Sequence, residues 1–173
     1  MEMLTFRQFL KEISLNRVKK TLAKGDPVGT VSPEREGMNR AGRKAAHKKM
    51  QGHLKREADK GMVSWSGPHK GRYKYSDTEE ASKEGSYVVR PGKHKKAKGN
   101  FHRILKSLGK KYDQESVLKV RKKGKEASGA LHFTTGKDKG KSMSLGHVKY
   151  NRELSKGSGD TRLKGKKSSF TLG

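Results

Sequence analysis

The sequence predicts an α+β fold: a small mixed sheet with two main helices, set between flexible basic N- and C-terminal segments. Three observations predict it. Two stretches repeat apolar residues at helical spacing, several short β-branched or aromatic runs alternate as strands do, and the C-terminal end is dominated by Gly, Lys and Ser. With 29% hydrophobic residues and 21 glycines in 173, the chain can build one modest core but not one that all residues share.

The elements follow in order. Phe6, Phe9, Leu10 and Ile13 fall at i, i+3, i+4, i+7, and Thr5 with Gln8 has capping-box spacing, so residues 1–15 read as a short amphipathic leader helix. Residues 16–37 turn polar around Lys24-Gly-Asp-Pro27 and Pro33 and read as a linker. The core is expected over 38–150. It opens with a helix from Met38 to Lys60, in which Ala41, Ala45, Ala46, Met50, Leu54 and Ala58 leave a thin apolar stripe among many cations. Strand-like runs follow at 62–66, 72–75 and 86–90, then a basic loop over 91–100. Phe101, Ile104, Leu105, Leu108 and Tyr112 give the second helix, and 116–120 and 130–134 give two strands joined by a basic turn. Residues 145–150 allow one more edge strand, and 151–173 read as a flexible basic tail.

Charge narrows the partner. Against 43 Lys plus Arg stand 17 Asp plus Glu, a net charge of +26, whereas solubility alone asks for about 2 to 8 on a small domain. A body so charged repels itself until an anion neutralises it, and a nucleic-acid backbone does this best because each phosphate contact releases counterions. The expected partner is nucleic acid, DNA ahead of RNA. Phosphate contacts are expected from Arg40, Arg43, Lys44, Lys48, Lys49, Lys55 and Arg56 on the first long helix and from Lys93, Lys95, Lys96 and Lys98 in the loop, with Trp65 as an exposed stacking platform. Zero cysteine removes disulfides, thiolate metal sites and a Cys nucleophile, and no apolar run approaches a membrane span.

Motif chemistry is sparse. Gly136-Lys-Asp-Lys-Gly140-Lys141-Ser142 is one residue short of a phosphate-cradling P-loop and no helix follows it; Gly157-Ser-Gly159 has Arg162 where a dinucleotide fingerprint needs a third Gly. The seven histidines show no metal-binding pair and read as polar surface. No cofactor, metal or catalytic residue is assigned from spacing.

Two resemblances add to this reading. Leu4-Thr-Phe6-Arg-Gln-Phe9-Leu10-Lys-Glu12 resembles the capsid-targeting propeptide of internal head proteins of large tailed bacteriophages. That resemblance implies docking to the prohead scaffold or its protease through residues 4–13, with processing at Leu10 and Glu12 and a cut before Ile13. Further along, Asn39-Arg40, Glu84-Gly-Ser86-Tyr-Val-Val and Gln114-Glu-Ser116-Val-Leu are similar in order and spacing to a small uncharacterised domain of bacteria and phages. Its polar positions at element ends, Asn39, Glu84, Ser86, Gln114 and Ser116, are where a site could assemble, and hydrogen-bonded caps and turns explain them equally well.

The expectation that follows is a phage accessory protein of the virion or host cytoplasm, packaged with the genome and binding it electrostatically. The alternative is a phage-encoded enzyme, or an inhibitor of a host defence protein, built on the α+β core with Glu84, Ser86 or Gln114 in a pocket.

Overall fold

The computed structural model describes residues 17–35, 37–73, 82–151, 159–162 and 169–172. The leader, with the expected processing residues Leu10, Glu12 and Ile13, lies outside them.

The fold is α+β, but every described strand pairing is antiparallel, so the sheet is not mixed. A helical segment α1 (17–23) leads into β1 (Val28–Val31), followed by helix α2 (Arg40–Asp59), β2 (Val63–Tyr73), β3 (Ser82–Pro91) and helix α3 (Ala97–Lys111). The hairpin β4 (Ser116–Lys123) and β5 (Glu126–Phe133) comes next, then β6 (Ser142–Asn151), β7 (Gly159–Arg162) and β8 (Ser169–Leu172). In space the strands run β1-β3-β2-β7-β8-β6-β5-β4 and close into a barrel, which leaves no unpaired edge.

The expected linker 16–37 is thereby corrected. Val28 to Val31 is buried throughout and pairs with both β3 and β4, and Val18 and Leu22 of α1 are core residues. Lys24 to Pro27 makes a turn, and its polarity hides the four-residue strand beyond it. The expected tail also contributes, through β7 and β8. The two expected strands 62–66 and 72–75 are one strand, β2, whose register against β3 shifts between Ser66 and His69; residues 74 and 75 lie outside the described ones. The expected loop 91–100 is shorter, because Ala97 is buried and already opens α3.

Strand alternation divides the core in two. Val31, Tyr87, Val89 and Val117 face α2 and α3, where they meet Met50, Leu54, Phe101, Leu105 and Leu108. Val28, Val88, Leu118 and Val120 face the other way and pack with Val18 and Leu22. Gly29 is what lets α3 lie so close to β1: a Cβ there would stand 2.6 Å from a methyl of Leu105. Of the stripe expected on α2, only Met50 and Leu54 are buried, while Ala41 and Ala45 are exposed, so α2 is anchored mainly through its middle and last turns.

Candidate active site

Beyond β1 the chain crosses β3 as a buried strap, Ser32-Pro33-Glu34, before the first turn of α2. Its polar groups are tied down on both sides. Ser32 Oγ donates to the Gly85 carbonyl at 2.9 Å and accepts from the Glu34 amide at 3.1 Å, and Gly85 N–H donates to Glu34 Oε1 at 3.0 Å. From the other flank Gln114 Nε2 donates to the Glu34 carbonyl at 2.6 Å.

Glu34 is the one buried acid among the described residues. Its Oε1 also lies 2.7 Å from His47 Nε2 on α2, and His47 Nδ1 lies 2.9 Å from the Tyr87 hydroxyl. The tautomer with Nε2–H donating to the carboxylate leaves Nδ1 as the acceptor for the Tyr87 hydroxyl. Burial pushes the Tyr87 phenol up, against a hydrogen bond from Gln51 that lowers it, and the Glu34 charge pushes it further up, so it stays a protonated donor. Trp65 meets the Tyr87 ring edge-on at 5.7 Å between centroids. Arg43 Nε stands 3.7 Å from Glu34 Oε2, which makes no shorter contact among the described residues.

The site therefore offers one buried carboxylate with a loosely engaged oxygen, two aromatic rings and an arginine at the rim. Gly85 is required for it: a Cβ would come within 2.7 Å of His47 Cε1 and 2.8 Å of Glu34 Oε1.

One of the residues expected to form a polar site reaches this strap: Gln114 holds it directly. Glu84 pairs in register with Gly71 on β2 and is the chain neighbour of Gly85, which grips the strap. The others serve elsewhere. Asn39 caps α2, accepting from Gly42 N at 2.8 Å; Ser116 opens β4 opposite Phe133; and Ser86 is fully buried on the opposite face of β3 from Tyr87, its Oγ without a hydrogen-bond partner among the described residues. Sequence reasoning missed Glu34, His47 and Tyr87 as a group. The available signal is an acid directly after Val28-Gly-Thr-Val31 and Pro33, a strand-like run that the polar residues on either side obscure.

The histidines correct the surface expectation. His69 is buried, and His53 on α2 meets the Tyr112 hydroxyl; burial lowers its pKa, as do Lys111, Arg56 and Lys49. His102 on α3 and His132 on β5 stack edge to face at 4.5 Å. Burial, then His102, Lys119, Lys106 and Arg121, pushes His132 down to about 4. No group of three or more metal-binding side chains exists among the described residues.

Of the residues expected to meet nucleic acid, Arg40, Arg43, Lys44, Lys48, Lys49, Lys55, Arg56, Lys93, Lys95, Lys96 and Lys98 are all exposed. Trp65 is not: it is half-buried against the core, because its strand partner Val89 belongs to that core. Gly136 to Lys141 forms a turn that runs into strand β6 rather than a helix, so no P-loop is built there.

Among curated proteins none matches the chain. A model of the S-adenosylmethionine lyase family matches residues 29–162, from β1 through β7, and includes the whole Glu34 strap. The match favours the enzyme alternative over an internal head protein, and the leader that resembled such proteins lies outside it. The chain belongs to the S-adenosylmethionine lyase family.

Proposed function

We propose that this protein is a phage-encoded enzyme that breaks a carbon–sulfur bond of S-adenosylmethionine without consuming water. The observation that carries the reading is the family match over residues 29–162. A lyase acting on this substrate needs little from the protein in the way of acid–base groups. The substrate's own carboxylate attacks the γ-carbon, the carbon–sulfur bond breaks, and its electron pair neutralises the sulfonium; methylthioadenosine and homoserine lactone leave. Every atom of the substrate is kept, and no proton has to move. The protein's task is to hold the folded-back conformer and keep water out, which favours the internal route by proximity.

This accounts for the absence of a nucleophile or carboxylate-pair motif in the sequence. It also makes a demand that a chain of charge +26 meets in few places: a cationic substrate needs local negative charge. Glu34 supplies it, linked through His47 to Tyr87, with the half-buried Trp65 ring packed edge-to-face against Tyr87 as the aromatic surface nearest to hand for a sulfonium. Arg43, 3.7 Å from the same carboxylate, is placed to meet the substrate's carboxylate.

The test is incubation of purified protein with S-adenosylmethionine in 18O-labelled water, read by mass spectrometry at early times. Methylthioadenosine with unlabelled lactone is expected. Label in the first-formed amino-acid product would make it a hydrolase, and intact substrate would remove the assignment. Glu34→Gln should lower kcat/KM by about 100-fold, on the scale of losing one electrostatic contact at a reacting centre.

A further inference from the structure

We infer that the outer face of α2 is a docking surface for the phosphate backbone of double-stranded nucleic acid, separate from the lyase site on its inner side. The face is set by helical geometry. At 100° per residue, Arg40, Lys44, Lys48 and Lys55 fall within about 80° of arc, and Lys49 and Arg56 lie about 80° further round, across Ala41 and Ala45. From Arg40 to Lys55 this ridge runs about 22 Å, a length of duplex that carries about a dozen phosphates.

Among the described residues the charge is not balanced. From residue 37 to residue 56 the sequence contains no acid. Among the described residues the ion pairs involve none of Arg40, Lys44, Lys48, Lys49, Lys55 and Arg56. The positive surface also continues beyond the helix, since Lys111 in the last turn of α3 lies near His53 together with Lys49 and Arg56. The opposite side of α2 is fixed by Met50 and Leu54, so the basic rows are held outward by packing and not by chance rotation.

The same face lacks what other anionic partners require. Ala41 and Ala45 are the exposed apolar residues between the cations, too small to enter a bilayer or to anchor a protein interface. Among the described residues Met143 alone is an exposed large hydrophobic, and it lies on β6. A regular row of cations without apolar anchors fits a regular row of phosphates.

The experiment compares the full-length protein with the triple variant Lys44→Gln, Lys48→Gln, Lys55→Gln, and with a control triple of equal charge loss on the β4–β5 hairpin, Lys122→Gln, Lys123→Gln, Lys125→Gln. Binding to a 20-base-pair duplex is measured over a range of salt, with circular dichroism melting as the check on folding. The α2 triple should weaken binding by on the order of tenfold or more and reduce the salt slope by about 2.7, roughly 0.9 per lost contact, while the control keeps most of both. Turnover of S-adenosylmethionine should be the same in all three proteins, because none of the six lysines touches the Glu34 site. Equal losses in the two triples would show diffuse charge and overturn the assignment, as would an unchanged slope in the α2 triple. Tighter binding to phosphatidylserine vesicles than to duplex at equal phosphate would assign the face to membranes instead.

Discussion

Two histidine clusters on this barrel contrast in their surroundings. His47 lies between a carboxylate and a phenol, with Glu34 at 2.7 Å and Tyr87 at 2.9 Å. His132 lies against a second imidazole, with Lys106, Lys119 and Arg121 acting on it, and is held neutral. In a chain with 43 cations and 17 acids, the position of one buried acid decides which histidine joins a partnered polar network and which is merely tolerated. The first arrangement places negative charge beside its histidine, and the second is cationic in its surroundings.

The sharpest way to break the contrast is to remove the acid. Glu34→Ala leaves Gly85 N–H and His47 Nε2 without their acceptor, and stability should fall by about 3 kcal/mol in urea unfolding, the scale of buried donors left unsatisfied. A smaller loss, about 2 kcal/mol, is expected for Gly85→Ala, whose new methyl collides with both His47 and Glu34; lyase activity should be lost with it. Asn39→Ala should cost about 1 kcal/mol by uncapping α2, with the Glu34 site and turnover nearly intact.

The smallest effect concerns His132. Its folded pKa, about 4, lies below the ordinary 6.5, so the unfolded chain binds the proton more readily. The sign follows: this contribution is fully present above about 6.5 and is lost as pH falls towards 4. His132→Phe should flatten that part of the stability profile and leave activity at neutral pH unchanged. A profile identical in variant and parent would remove the assignment of a depressed pKa to His132.

Much of the fold is legible in local pattern. Phe101, Leu105 and Leu108 announce α3 because helical period alone places them on one face, and Tyr87-Val88-Val89 announces β3 because such residues suit a doubly buried strand. Gln114 and the Glu84 to Ser86 stretch were legible as a polar locality, and two of their contacts do converge on the strap. What escaped was everything that depends on pairing across distance. Glu34 meets Gly85 across 51 positions of sequence and Gln114 across 80, and the short apolar run before Glu34 hints at a strand without saying what the acid meets.

The sequence by itself determined the charge, the two amphipathic helices, the basic outer face of α2 and the strand runs, because each is a matter of residue type at short period. Tertiary structure alone decided that the strands close antiparallel into a barrel, that 28–34 is core rather than linker, and that one of few acids is buried against His47 and Tyr87. The physical reason is that register and closure are settled by the whole sheet at once. A single strand's pattern says which face it buries but not which neighbour it buries it against.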